Sequence, residues 1–560
     1  MTSTTAGPSR SSPWIAGPAR DLGLFVLTPV LILAAAFLLR SGVASKDIQY
    51  AVIAFGAMGH NLPGMLRAYG DRALFRRFRI RFIVAPVALF AVCFVFTWRG
   101  LTGIALIAFF WAVWHALMQV YGFLRIYDAR AGATERRIAN LDFAMCLAWF
   151  AGGVLWSDTR LHQVQSLAVT YGIGPLDASA VHVVRLVIAS IIAVVTALFL
   201  FEQFARRRRG QPISAIKNLL HASSIAFWWY AHVLTTDVLL GIYLFEIFHD
   251  VQYLAIVWYF NLRRVDSDPA IGGFTRQVFR RSYGLAALYV GLCFAYGGFI
   301  PLTGHLQMSP LTAALAASFV QASALLHYYF DGFIWKVRER STRAALGMDS
   351  TLGRVEPIDT RHAAKWALLA VPAAVLWCVP ARTAAEAEID PIPARALAES
   401  TPLALRAQLA LATASGRSQD IPTAVLALER ARSIAPDDQE IAENLAAARV
   451  RSGVDALRKG SIDEARRTLA EVAAQFPALA DVCNGEGLEH LQRRELDDAI
   501  ACFRASLLIV ADRPAAHLNL ALALRERGMR EEALEHARRG AAMLPQDDQA
   551  RALVQELEKR

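Results

Sequence analysis

Charge is scarce in this chain. Asp, Glu, Lys and Arg make up 19% of its 560 residues, against about 25% in an ordinary soluble protein. Set beside a hydrophobic fraction of 55%, that scarcity excludes a disordered chain and a wholly water-soluble one. Cysteine is scarce as well. Six dispersed cysteines are too few for the framework of a disulfide-stapled fold. No GxxxxGK[ST] loop is present, which argues against a kinase or nucleotidase. Basic residues do exceed acidic ones, 58 to 48, for a formal charge of +10. With no nucleic-acid motif beside it, the excess reads as the cytoplasmic loops of a membrane protein, and no nucleic-acid partner is expected.

The long apolar runs lie before residue 381, and the remainder is rich in Ala, Arg and Glu. A hydrocarbon core about 30 Å thick takes about 20 apolar residues per helix. Candidate spans are 21–40, 48–67, 82–98, 101–124, 138–156, 182–204, 213–234, 238–262, 283–301, 309–335 and 364–380. The first resembles a signal peptide in its basic flank, but Val43, Ala44 and Ser45 make a poor cleavage site, and it is kept as a helix. Basic clusters follow the even-numbered spans: Arg72 to Arg81, Arg125 to Arg137, Arg206 to Arg209, Arg263 to Arg281 and Lys336 to Arg343. The N-terminus is then cytoplasmic, and the tail lies outside if 364–380 crosses. Arg125 and Arg263 read as anchors at the lipid headgroups. The expected fold is all-α: a polytopic transmembrane bundle of about eleven helices, then a short α-solenoid. Its parts are an N-terminal cytoplasmic tail (1–20), a transmembrane domain (21–381), a linker (382–401) and a repeat domain (402–560). The expected location is a bacterial inner membrane, with the repeats on the non-cytoplasmic side.

The solenoid rests on a period. Gly453, Gly487 and Ala521 are spaced by 34, and so are Ala465, Ala499 and Ala533. Gly460 and Gly528 differ by twice 34, and Pro477 and Pro545 close two units. This pattern resembles the tetratricopeptide repeat over about 445–545, with a looser unit around Ala424 and Pro436; of the family's aromatic positions only Phe503 fits. The resemblance implies paired helices and a surface that binds a protein or peptide partner. Cys483 and Cys502 fall on the two helices of one repeat, either as buried small hydrophobes or, in an oxidising compartment, as a pair.

Six histidines fall inside apolar spans: His60, His115, His221, His232, His249 and His327. Ionisable groups at membrane depth are costly and usually face a bundle interior. Counting from the basic residue at each cytoplasmic end, at about 1.5 Å per residue, puts His60, His115 and His327 at roughly 10–15 Å depth. His249 lies deeper and His221 shallower, while His232 stands apart near the outer end. Polar company sits at helical spacing: Gln119 after His115, Glu246 before His249, Asp331 after His327. The expected metal ligands are His60, His115, His249 and His327. Gln119, His221, Glu246 and Asp331 are candidates for supporting groups or further ligands. Imidazoles with carboxylates suit iron, zinc, copper or manganese.

The dense HxxxH and HxxHH boxes of desaturases and hydroxylases are absent, and no second helix pairs with His221 and His232 for a cytochrome b-like haem. Dispersed single histidines on several helices look more like the bacteriorhodopsin-related membrane dioxygenases that cleave carotene. That resemblance, resting on His60, His115, His249 and His327, implies iron held by histidines alone and a lipophilic small molecule arriving through the bilayer. Trp111, Trp114, Tyr121, Tyr253, Trp258, Tyr328 and Tyr329 would line its pocket or simply pack the bundle. Two rival readings stay open. One is a non-catalytic membrane-anchored repeat scaffold for an envelope complex. The other is a lipid-linked glycosyltransferase, which the short first outer loop (41–47) with only Asp47 disfavours.

Overall fold

The computed structural model describes residues 12–39, 52, 58–235, 238–267, 271, 273–299, 306–336, 340–346, 348, 362–379 and 390–559. Among them every regular element is helical. The chain forms two compact units, Met1–Ala387 and Glu388–Arg560.

In the first unit the helices that matter for function are α1 (Asn61–Gly70), α2 (Arg79–Trp98), α3 (Gly103–Ala131), α4 (Arg136–Trp156), α5 (Ala178–Arg208), α6 (Ala215–Trp229), α7 (Val238–Ser267), α8 (Tyr283–Gly297) and α9 (Pro310–Ile334). Their ends follow local chemistry. Pro310 starts α9 behind the Ser309 hydroxyl, which accepts from the Thr312 amide. Gly132 ends α3 with φ of 80°, a left-handed conformation that glycine adopts without strain. Two clusters form most of the core. One packs α3, α4, α6 and α7 through Phe123, Phe150, Phe227, Trp228 and Phe248. The other packs α2 against α9 through Phe82, Leu89, Phe96, Leu325 and Phe330.

The count of long apolar helices differs from the sequence expectation. Among the described residues five helices are long and apolar enough to cross a membrane (α2, α3, α4, α5 and α9), or six if the pair Pro18–Val26 and Thr28–Leu38, bent by 58°, is one span. Eleven were expected. Three candidates shrink on folding: α6 runs 15 residues before a π-helical turn, α8 runs 15, and the helix His362–Cys378 runs 17 with Pro372 inside. Helix α7 is long but carries Glu246, His249, Asp250 and Gln252 through its middle. The first half of the candidate at 48–67, the loop at 41–47 and His305 fall largely or wholly outside the described residues.

Residues 12–20, within the expected tail, pack against the unit. Ile15 is buried in the core. The Ile15 and Ala16 amides donate to the Asp21 carboxylate at 2.6 and 2.7 Å, and the Tyr127 hydroxyl donates to it at 2.9 Å. Arg130 donates to the Ser12 carbonyl at 2.9 Å, and Arg263 donates to that of Ile15. Arg263 therefore ties backbone together where the sequence suggested a headgroup anchor.

The second unit is a stack of helical hairpins: α10 (Pro391–Ser400), α11 (Leu405–Arg417), α12 (Ile421–Ile434), α13 (Gln439–Arg458), α14 (Ile462–Gln475), α15 (Leu479–Gln492), α16 (Leu496–Ile509), α17 (Pro514–Arg527), α18 (Arg530–Met543) and α19 (Asp548–Glu558). The second helices of three successive hairpins begin at Ile462, Leu496 and Arg530, a spacing of 34. The small residues at the repeat positions are where paired helices touch. A Cβ on Gly453 would lie 2.8 Å from Leu469, and one on Gly487 would lie 2.6 Å from Phe503, 34 residues later in both partners. Ala465, Ala499, Ala521 and Ala533 are fully buried. This is a stack of helical hairpins with a 34-residue period. Cys483 and Cys502 are buried free thiols. The expected linker 382–401 is shorter than supposed, because α10 belongs to the solenoid: Ala394 and Ala398 pack in its core with Leu411 and Leu428.

Candidate metal centre

His60, His115, His249 and His327 come together. Each offers a ring nitrogen such that all four donor atoms lie within 4.8 Å of one another, and all four residues are buried. They arrive from four elements: His60 from the turn that caps α1, His115 from α3, His249 from α7 and His327 from α9. The Nε2 atoms of His115 and His327 are 3.1 Å apart. Ring centroids are separated by 4.5 Å for His115–His327, 4.6 Å for His60–His327, 5.1 Å for His115–His249 and 5.5 Å for His60–His249.

Cross-ties fix these four elements. The Asn61 amide donates to Ser323 at 3.1 Å, and the Tyr296 hydroxyl shares a 2.9 Å hydrogen bond with the same serine, tying α1, α8 and α9. Gln119 Nε2 donates to the His249 carbonyl at 2.9 Å, tying α3 to α7. Gln252 donates to the Phe25 carbonyl at 2.8 Å. Gly64, one turn after His60, has no side chain where the Tyr253 hydroxyl approaches: a Cβ there would lie 2.9 Å from that oxygen and 3.5 Å from His327 Nδ1.

A carboxylate and an aromatic shell surround the rings. Asp250, fully buried, holds an oxygen 3.1 Å from His60 Nδ1, although the alignment falls short of a hydrogen bond. Asp331 lies 3.9 Å from His327, accepts from Tyr253 at 2.8 Å and from Trp335 at 3.0 Å. The Tyr328 ring lies 4.9 Å from that of His115, and Tyr253 lies 5.1 Å from His327.

The supporting set anticipated from sequence is reached in part. Asp331 stands beside the cluster. Gln119 braces His249 through its backbone, and does not touch a ring. Glu246 sits one turn from His249 toward the opposite end, near Arg160. His221 is elsewhere, 3.5 Å from the Cys146 sulfur and edge-on to Phe199. His232 packs at 3.8 Å on Trp228. Of the seven aromatics, Tyr253 and Tyr328 touch the histidines, and Trp111 lies behind Tyr328 with ring centroids 6.2 Å apart and planes tilted by 47°. Trp114 and Tyr121 pack on Phe143, Trp258 on Phe279 and Tyr289, and Tyr329 on Phe333. Asp250 escaped the sequence reading, although its place directly after His249 in an apolar run was a signal.

A second polar cluster went unread. Lys217 on α6 donates to Asp128 on α3 at 3.1 Å and to Asp142 on α4 at 3.0 Å, and Arg125 binds both carboxylates. Lys217, Asp128 and Asp142 are all buried. Arg125 is thus part of an internal ion network and not a headgroup anchor. The group is charge-balanced, two cations on two carboxylates, and each carboxylate is shared, which is how buried ions are usually accommodated.

The donor set fits a transition metal. Four neutral imidazoles without thiolate suit iron, zinc, copper or nickel, whereas magnesium and calcium take oxygen ligands. Tetrahedral ligands at about 2.1 Å stand about 3.4 Å apart, comparable with the 3.1 Å and sub-4.8 Å separations of this cluster. Several buried polar atoms around it lack hydrogen-bond partners among the described residues, including His327 Nδ1, Gln119 Oε1 and both Asp250 oxygens. Such groups in one neighbourhood call for an explanation.

No family model and no curated protein matches the chain. Among solved structures, similarity is found to "Crystal structure of APC/C hetero-tetramer Cut9-Hcn1", at 14% identity over 80% of this chain and 96% of that one, with a TM-score of 0.17. Likeness at that score carries no argument about this chain.

Proposed function

We propose that the first unit is a polytopic membrane domain built around a transition-metal centre, with His60, His115, His249 and His327 as its ligands. The convergence of four buried histidines from four elements carries this reading. Histidines spread along a chain are brought into one pocket only at a cost in desolvation, and metal ligation is the commonest reason for four of them. The metal would supply oxygen activation toward a lipophilic substrate. The protein's own residues do the rest: Asp250 places a carboxylate beside the His60 ring, Asp331 with Tyr253 and Trp335 holds the flank of His327, and Tyr328 closes the side toward Trp111. Membrane insertion is supported by the surface of α5. Val183, Leu186, Val187, Val194, Leu198 and Phe201 are all exposed along one helix. An apolar groove lined by Trp149, Trp156, Ile192, Leu200 and Trp229 lies between α5 and its neighbours. Exposed apolar surface on that scale is stable in lipid and not in water.

The second unit serves as the partner-binding surface, by the general behaviour of helical solenoids. On the basic-loop argument its place is the non-cytoplasmic side of a bacterial inner membrane, which requires the helix His362–Cys378 to cross.

The experiment is elemental analysis of the detergent-purified protein beside His115→Ala and His327→Ala. The reading expects about one transition metal per chain, with loss in both variants. Equal metal content in all three removes it. A metal-free wild type that still binds a partner through the repeats favours the scaffold instead.

A further inference from the structure

Two turns along α1 from His60 lies Arg67, 7% exposed. Its guanidinium sits in the corner between two perpendicular rings, 4.1 Å from the centroid of Phe260 and 3.8 Å from that of Trp335. Its Nε and Nη1 donate to nothing among the described residues. The two carboxylates that bear on it are engaged elsewhere. Asp71 is paired with Arg264 at 2.7 Å, and Asp331 is held by Tyr253 and Trp335. A buried guanidinium with unmade hydrogen bonds is costly. The Lys217 network shows how this chain satisfies a buried cation when charge balance is all that is required: each ion there has a carboxylate. Arg67 departs from that pattern. Its fork geometry matches a carboxylate or phosphate, and the flanking rings lower the cost of holding the cation while it waits.

We propose that Arg67 receives the anionic head, carboxylate or phosphate, of an amphiphile. Tyr253, Asp331 and Trp335 pack between Arg67 and His327, so the apolar part does not run to the histidines. Arg72, Arg76, Arg77, Arg79 and Arg81 follow α1 directly, so the head sits at the end of the unit where anionic groups gather. The inference goes beyond the metal reading and rests only on the membrane setting of the proposed function.

The test is calorimetric titration of the full chain in a neutral maltoside detergent. The probes are dodecyl phosphate, laurate, dodecanol and inorganic phosphate. Wild type binds dodecyl phosphate or laurate at least ten-fold tighter than dodecanol or inorganic phosphate. Arg67→Gln loses ten-fold or more of that affinity while keeping its metal. Arg67→Met, whose unbranched stem still fills the corner between Phe260 and Trp335, guards against misfolding: it melts within a few degrees of wild type and shows the same loss. His115→Ala loses metal and keeps dodecyl phosphate binding, so failure of the metal reading and failure of this one are separable. Unchanged dodecyl phosphate affinity in both Arg67 variants overturns the proposal. So does inorganic phosphate binding as tightly as the amphiphile, which reduces the site to an ion site.

Discussion

His115 Nε2 and His327 Nε2 stand 3.1 Å apart although 212 residues separate them in sequence. Two facing imidazole nitrogens hold one proton between them, or both turn lone pairs to a common cation. The first arrangement needs only a tautomer; the second needs all four rings. Experiments on the residues behind the rings therefore say more than the histidine variants alone.

Asp250→Asn removes the charge facing His60 and keeps its volume. Metal affinity should fall about 10- to 100-fold, read by competition with a chromogenic chelator, while melting in the metal-free state stays close to wild type. An affinity that does not move would mean His60 needs no carboxylate behind it.

Lys217→Met leaves Asp128 and Asp142 buried with Arg125 as their single cation. Breaking a buried network of this kind costs about 3–5 kcal/mol. The detergent-solubilised protein should melt markedly lower, with its metal content unchanged before melting. A loss within a few tenths of a kcal/mol would show that the network is not structural.

In the solenoid two glycines on one helix, α15, should respond with opposite signs. Gly487→Ala forces a methyl against the fully buried Phe503 ring, an overpacking worth about 1–3 kcal/mol. Gly485→Ala meets open space and should stabilise by up to about 1 kcal/mol through backbone entropy. Urea unfolding of residues 388–560, a compact unit with its own cores, measures both. Two shifts of the same sign would contradict the packing described.

The same unit carries a pH response. His517 Nδ1 and His536 Nδ1 are 2.8 Å apart, and His517 Nε2 lies 3.1 Å from the Ala511 carbonyl. Burial lowers both imidazoles below the usual histidine range, and for His536 the adjacent His517 adds to it. Folded-state values below the unfolded value of about 6.5 mean the unfolded chain binds protons first as pH falls. Stability from this pair is intact above about pH 6.5 and declines below it. Melting curves from pH 7.5 to 5 should show the decline, and His536→Gln should flatten it.

How much of this was legible beforehand differs by scale. The convergence of the four histidines was readable because depth can be counted from basic residues, and a helix rises by a fixed amount per residue. The 34-residue period gave the hairpins because Gly453 and Gly487 must admit Leu469 and Phe503. What escaped was set by tertiary contact. Arg125 looks like a headgroup anchor until Asp142 on another helix is known to reach it. His221 shares the composition of the ligands, yet its helix turns it toward Cys146. Among the described residues fewer helices are long enough to span than the apolar runs suggested, because such runs do not reveal where a helix stops: α6 gives way to a π-turn after Trp229, and α8 ends at Gly297.

The backbone oxygens of Ser12 and Ile15 wait for Arg130 and Arg263. The earliest residues described thus take partners as far along the chain as Arg263, and they close the bundle. Trimming the protein to residue 20 would remove a seam, exposing Asp21 and Tyr127 and loosening α3 from α7. Truncations that remove residues 12–20 are in that sense core mutations.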